Sequence, residues 1–214
     1  MQNTPDGSAQ DGSGDVDEVD DALRAYLLYV MLPLWFVPGI LDWNFHRRTK
    51  IEETSGTHES LTHALMMSIV GAPILAALLF EINALLLAGM IAAYFAHEGV
   101  AYWDVKYAKG RRHVGALEQQ THSFLEVLPF MGASLCSVLK WKQFLSIFGL
   151  GPETAEWKLE WKRRPQPPAY TAAILGGVLL FVVTPYVEEF VRCFRVDHTL
   201  LPHEEPDAAK QSAN

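Results

Sequence analysis

The chain has 214 residues, of which 50% are hydrophobic, and a formal net charge of −8. Seven acids and no Lys or Arg occur in residues 1–21, and four acids and one Lys occur in residues 197–214, so the negative charge belongs to the two ends. Such polar, acidic ends are typical of disordered tails. The basic residues lie beside apolar runs rather than on one face, which argues against a nucleic-acid-binding protein, and two cysteines are too few for a disulfide framework.

Four of the five hydrophobic segments between the tails are long enough to cross a bilayer as helices. The first covers about residues 22–43, the second 61–80, the third 82–102 and the fifth 170–187. Only residues 81–83 separate the second segment from the third, which predicts a tight helical hairpin. No alternating pattern strong enough for a β-barrel occurs.

The fourth hydrophobic segment, residues 127–139, is short for a membrane crossing. It either spans together with residues 144–150 or is re-entrant or interfacial, and the sequence leaves both possibilities open. We therefore predict an all-α polytopic integral membrane bundle of four to five transmembrane helices with a polar metal-binding cap on one face. The bundle covers residues 22–196, between disordered tails at 1–21 and 197–214.

Basic residues follow the first and third segments, whereas the loop between the second and third has none. By the positive-inside rule, both basic loops are expected on the cytoplasmic side. The basic stretch 158–164 fits this orientation better if the fourth segment does not cross. The residues that set the orientation are Arg47, Arg48, Lys50, Lys106, Lys109, Arg111 and Arg112.

Histidines mark the ends of the hydrophobic segments on this same side. Helix rise puts His63 and His97 at similar depth, about 26 Å and about 21 Å from the hairpin turn. His46 leaves the first segment on that side, and the chain at His122 must begin there too. Four separate stretches therefore bring imidazoles to one membrane face.

Carboxylates accompany these histidines at helical spacing. Ionisable groups near a bilayer cost several kcal/mol unless they are paired or bind a ligand, so the concentration predicts a metal site. Residues four apart share a helix face. The pairs with this spacing are Asp42 and His46, Glu59 and His63, Glu118 and His122, and His122 and Glu126, while His97 and Asp104 are two turns apart.

The ligand set chosen from these spacings has four imidazoles and several carboxylates, enough for two metal ions. Such donors favour iron, manganese or zinc over calcium or magnesium, and two irons are expected because such sites activate O2. Periodicity does not decide between Glu52 and Glu53, and Glu52 is taken. The proposed ligands are His46, Glu52, Glu59, His63, His97, Asp104, Glu118 and His122, with Glu126 as a ligand or as a partner of one.

Residues 42–126 resemble the histidine-rich integral membrane di-iron oxidoreductases, the fatty-acid desaturase and hydroxylase class. The resemblance lies in two polar clusters, DWNFHRRTKIEETSGTHESLTH and HEGVAYWDVKYAKGRRHVGALEQQTHSFLE. That class has HxxxH and HxxHH boxes and this sequence has neither, so no ligand is transferred box for box. The resemblance implies O2-dependent desaturation or hydroxylation of a lipid or hydrophobic substrate. Without a flavin or nicotinamide fingerprint, an external electron donor is required.

Two other functions remain open from the sequence. A zinc-dependent membrane hydrolase of lipid amides or esters would use the same donors to lower the pKa of a bound water. A non-enzymatic membrane scaffold or transport component would use the polar cluster as a hydrogen-bonded plug or ion path. His58 and His113 are expected to be solvated, because glycines lie nearby in loop-like sequence.

Overall fold

The computed structural model describes residues 11–198 of the chain, and these residues are mainly helical. Two isolated β-bridges, between Phe80 and Trp161 and between Lys109 and Arg112, are the only extended pairings in the described range. The predicted all-α fold is therefore confirmed.

Five helices are long and apolar enough to cross a membrane, so the chain is a polytopic membrane bundle. A short helix, α5, follows the fourth of them. The spans are α1, Gly14–Thr49; α2, Gly56–Leu79; α3, Ala84–Ala108; α4, Ala116–Leu139; and α6, Pro168–Asp197; and α5 is Trp141–Ile147. We call the side where α1, α3 and α6 end and α2 and α4 begin the donor face, and the opposite side, which contains residues 80–83, the hairpin face.

The N-terminal part of the chain differs from the predicted tail. Residues 1–10 lie outside the described part, but helical structure begins at Asp11 and runs to Tyr26 before the helix continues. Acidic side chains near a helix N-terminus interact favourably with its dipole, which explains how so acidic a stretch extends α1. Of the predicted C-terminal tail, only Asp197 and His198 are described, and the former ends α6.

The fourth hydrophobic segment is part of one continuous helix that is long and apolar enough to cross, which favours the spanning alternative. α4 begins at Ala116, well before the predicted start at 127, because its polar first half packs against α1 in the bundle. Residues 144–150 contribute to α5 and a turn instead. This crossing puts the basic stretch 158–164 on the hairpin face, so Lys and Arg occur on both faces of the bundle.

Two π-helical turns, Leu27–Met31 in α1 and Leu179–Val183 in α6, each end two residues before a proline. Proline lacks the N–H that an α-helix needs, and a local widening accommodates the missing bond. In the first turn the Leu28 carbonyl would bond to position 33, which is proline. The Tyr170 hydroxyl donates to that carbonyl instead, at 2.5 Å, and so joins α6 to α1.

The bundle is apolar towards the hairpin face and polar towards the donor face. The hydrophobic core of the half near the hairpin face consists of Leu86, Leu87, Met90 and Cys136. The predicted hairpin is confirmed, since α2 ends at Leu79 and the Asn83 side chain caps α3 by accepting from the Leu86 N–H. Buried charged residues occupy the other half.

Candidate metal centre

Five carboxylates and three imidazoles lie together inside the donor face, and every membrane-spanning helix contributes at least one. All are buried except His122, whose side chain is 16% exposed. Each of these side chains lies within about two turns of a helix end at the donor face, where α2 and α4 begin and α1, α3 and α6 end. We call this set the donor cluster: Asp42, His46, Glu59, His63, Asp104, Glu118, His122 and Glu189.

One part of the donor cluster joins α1 to α4. Each of Asp42, His46, Glu118 and His122 offers one ligand atom within 4.8 Å of the other three. His122 Nε2 lies 2.8 Å from Asp42 Oδ1. His46 Nε2 lies 3.5 Å from Asp42 and 3.7 Å from Glu118, and it forms no hydrogen bond with any described residue. A buried, unbonded imidazole nitrogen facing two carboxylates is the arrangement that a metal ion satisfies.

A second part extends from α1 to α2 and α3. His46, Glu59 and His63 form another group with ligand atoms within 4.8 Å of one another. His63 Nε2 also lies 3.1 Å from Asp104 Oδ2 and 3.9 Å from Glu59 Oε1. His46 belongs to both groups, so the two parts adjoin.

Glu189 lies behind both histidines. Its Oε2 accepts from His46 Nδ1 at 2.9 Å, and its Oε1 lies 3.8 Å from His63 Nδ1. A carboxylate on Nδ1 assigns the proton to that nitrogen and leaves the Nε2 lone pair for a metal, as in carboxylate–histidine–metal arrangements. Glu189 therefore orients the His46 ring, whose Nε2 faces Asp42 and Glu118, whereas His63 Nε2 hydrogen-bonds to Asp104.

Arg112 hydrogen-bonds to two carboxylates of the donor cluster. Its guanidinium binds both oxygens of Glu59 and lies 2.5 Å from Glu118 Oε1, which links the two groups. Burial alone would lower the pKa of Arg112, but the hydrogen bonds to Glu59 and the charges of both carboxylates raise it above its usual value. The guanidinium is therefore always charged.

The charges within the donor cluster do not balance. Five carboxylates against one guanidinium leave a net charge of −4 when the imidazoles are neutral. Buried charge of one sign is costly unless it is compensated. Positive charge from protonated imidazoles or from bound cations would compensate it.

A cleft opens onto the donor cluster beside His63 and His122. His97 and Glu126 line this cleft and belong to neither group of close ligand atoms. His97 Nδ1 lies 3.5 Å from Glu98 without forming a hydrogen bond in the described structure. The remaining cleft wall includes Trp35, Met66, Met67, Leu125 and Tyr186.

The structure brings most of the sequence-predicted ligands together. Glu52 lies outside both groups: a short 3₁₀ turn, Ile51–Glu53, buries Ile51 and leaves Glu52 paired with Arg192 of α6. Its alternative, Glu53, pairs with Lys50 at the surface. The predicted ligands that meet in the donor cluster are His46, Glu59, His63, Asp104, Glu118 and His122.

Three important residues were missing from the predicted ligand set. Asp42 was paired with His46 by spacing but not selected. Glu189 lies just beyond the predicted end of the fifth segment, next to Glu188 and near Arg192, and nothing in the sequence separates it from these charged neighbours. Arg112, which was used only to set the orientation, pairs with two buried carboxylates. His58, expected to be solvated, is 7% exposed and packs against Trp103 and Tyr107.

Comparisons with known proteins give no relative: no family model, no curated protein and no solved structure matches this chain. The resemblance to membrane di-iron oxidoreductases therefore stays a prediction.

Proposed function

We propose that the donor cluster holds two metal ions, that these are iron, and that the protein is a membrane-bound oxidoreductase using O2 to desaturate or hydroxylate a lipid or hydrophobic substrate. The observation that carries this proposal is five buried carboxylates with one guanidinium among them, beside an unbonded nitrogen of His46; with neutral imidazoles their net charge is −4. Two divalent cations would neutralise that charge. One cation would leave two buried negative charges, each of which is costly.

The positions of the imidazoles support a paired site. His46 and His63 stack with ring centroids 4.6 Å apart, and both present Nδ1 to Glu189. Their Nε2 atoms therefore point the same way, each towards its own carboxylates. Metal pairs in enzymes lie about 3.5–4 Å apart, which is compatible with this spacing.

The donor chemistry favours iron. Imidazole with an excess of carboxylate is the donor set of the di-iron sites found in helical bundles, and it suits iron, manganese or zinc better than magnesium or calcium. Manganese and zinc remain the alternative metals. The proposed ligands are His46, His63 and His122 with Asp42, Glu59, Asp104 and Glu118, while Glu189 positions two of the imidazoles.

Bound iron would supply the redox chemistry, and the electron count requires a partner. In desaturation, O2 accepts two electrons from two substrate C–H bonds and two from an external donor. With two protons from the substrate and two from solvent, it leaves as two waters. In hydroxylation, one oxygen atom enters a C–H bond and the other leaves as water after two electrons and two protons arrive from the donor side. We place the electron donor at the donor face, which we orient to the cytoplasm from Arg47, Arg48 and Lys50.

The cleft residues have a separate role in this scheme. His97 and Glu126 lie in the cleft beside the proposed metal positions, where protons must arrive as O2 is reduced. A histidine and a carboxylate are the usual side chains for proton transfer near neutral pH. They serve as proton carriers rather than as ligands.

Elemental analysis of protein purified in detergent tests the proposal. We expect about two iron atoms per chain, falling to one or fewer in His63→Ala, whereas the exposed control His113→Ala keeps both. Reduced protein should consume O2. Zinc without iron, and no O2 uptake, would replace this proposal with the hydrolase. Metal-free protein after gentle purification, with no loss of stability in His63→Ala, would remove any metal-dependent function.

A further inference from the structure

A second cavity, of about 170 Å³, lies between α1, α2, α3 and α4 in the half of the bundle near the hairpin face. Its walls are almost entirely apolar, and no buried carboxylate or imidazole of the described residues lines it. It is therefore distinct in chemistry from the cleft at the donor cluster. The wall includes Leu27, Met31, Ile74, Met90, Leu128 and Cys136.

Two basic side chains lie at the end of this cavity near the hairpin face. Arg24 of α1 and Lys162 of the 148–167 loop both line it. Arg24 forms no hydrogen bond or ion pair with another described residue, and Lys162 Nζ donates to the Ala77 carbonyl at 2.5 Å. Burial lowers the pKa of Lys162 and the Arg24 charge lowers it further, with Glu81 acting in the opposite direction. An anion at this end would relieve the repulsion between the two cations.

The other end of the cavity reaches the cleft. Val70 lines both the cavity and the cleft, so the two spaces adjoin through one side chain. Along α2, the rise from Ala77 to His63 is about 21 Å. This path is longer than the hydrocarbon of one leaflet, which is about 15 Å thick. A chain that starts at Lys162 must therefore be long and extended to approach the donor cluster.

We propose that this cavity binds a long single-chain amphiphile whose anionic headgroup, a carboxylate or a phosphate, contacts Arg24 and Lys162 and whose alkyl chain runs past Val70 towards the cleft. The inference rests on the proposed function in that it names the substrate class of the metal centre. It adds that the headgroup lies at the membrane face opposite the metal ions. The carbons presented for oxidation are then those far from the headgroup.

Binding assays on protein purified in a non-ionic detergent and stripped with a chelator test the inference without metal. The probes are palmitic acid, lysophosphatidic acid and phosphatidic acid, with hexadecanol as the uncharged chain. We expect at least one charged single-chain probe to bind about tenfold or more tightly than hexadecanol, because hydrogen bonds to charged groups contribute more than neutral ones. Tighter binding of palmitic acid identifies a free fatty acid, and tighter binding of lysophosphatidic acid identifies a phospholipid-derived chain. Equal or tighter binding of hexadecanol, or of two-chain phosphatidic acid, overturns the proposal.

Matched variants locate the bound probe. The double variant Arg24→Gln, Lys162→Gln should weaken the charged probe about tenfold, whereas Lys142→Gln, at the same face but paired with Glu153, should not. Gly132→Leu should block the cavity, because a Cβ there meets only Met31 Cε, at 3.6 Å, and the rest of the side chain extends into the space. Ala72→Leu, exposed on α2, is its control. Unchanged probe binding in either the charge or the filling variant overturns the proposal.

The two proposals fail separately in these experiments. Chelated protein that binds the probe supports this inference even if purification yields no iron. Protein that holds two irons but binds no charged probe overturns this inference and leaves the metal centre in place.

Discussion

The imidazole rings of His46 and His63 stack face to face, with centroids 4.6 Å apart and planes inclined by 12°. Glu189 lies beside both rings, at 2.9 Å from His46 Nδ1 and 3.8 Å from His63 Nδ1. Glu189 therefore contacts both rings and hydrogen-bonds to that of His46.

Replacement of Glu189 by Gln tests this positioning. Its amide presents one oxygen and one NH₂ group, so it accepts from only one imidazole N–H and sets an N–H donor against the other. We expect a 10- to 100-fold loss of metal affinity, the usual cost of removing a carboxylate that orients a ligand histidine. Metal titration of apo-protein measures it. Glu188→Gln is the control, since the neighbouring carboxylate binds Trp43 and Arg192 instead. Equal losses in both variants would contradict an orienting role for Glu189.

Arg112 provides a stability prediction. Arg112→Ala leaves the Glu59 and Glu118 carboxylates buried without their counter-ion, and removal of one partner of a buried ion pair costs about 3–5 kcal/mol. Arg112→Lys keeps the charge but loses the two-point contact with Glu59, so it should be intermediate. Unfolding of metal-free protein in detergent measures both.

The control for Arg112 is Lys109→Ala, at an exposed position of the same loop. It should change the free energy of unfolding little. If Arg112→Ala were as stable as this control, the guanidinium would not compensate the buried carboxylates, and the charge count behind the two-metal proposal would need revision.

Glu52 and Glu59 offer a direct contrast between sequence and structure, because both were selected as ligands from the sequence. Glu59 is fully buried in the donor cluster, whereas Glu52 pairs with Arg192. We expect Glu52→Gln to retain about two metal ions per chain and Glu59→Gln to lose at least one, as measured by elemental analysis. Loss of metal in Glu52→Gln would instead show that Glu52 is a ligand, as the sequence predicts.

Local spacing found the parts of the donor cluster that lie within one helix. Glu59 with His63, and Glu118 with His122, are four residues apart, and such pairs share a helix face whatever the helix packs against. The hairpin at residues 81–83 also placed His63 and His97 at one depth, since helix rise alone determines that. These features depend on short stretches of chain.

Contacts between distant stretches were beyond the sequence. Glu189 reaches His46 across 143 residues, and Arg112 reaches Glu59 across 53. Nothing in the local pattern distinguishes them from a boundary acid and a membrane-flanking base. The first half of α4 was missed for a related reason: its polar residues, of which Glu118 and Thr121 are buried in the bundle, give it the hydropathy of a loop although it is part of a helix long enough to cross.

Variants of His97 distinguish metal binding from proton transfer in the cleft. It lies outside both groups of close ligand atoms yet lines the cleft beside His63 and His122. We therefore expect His97→Ala and Glu126→Gln to retain about two metal ions per chain while losing roughly 10²-fold or more in substrate oxidation, the usual contribution of a positioned proton carrier. His63→Ala should lose both metal and activity.

Elemental analysis beside O2 uptake by the reduced protein distinguishes the two roles of these histidines. The exposed His113→Ala should behave as the parent in both measurements. If His97→Ala lost metal to the same extent as His63→Ala, His97 would be a ligand, as the sequence predicted, and the helix carrying it would have to shift towards the donor cluster on metal binding. Retained metal with undiminished oxidation would instead leave His97 without a role in proton transfer, and the proton path would have to enter from the side of α4 that presents Glu126.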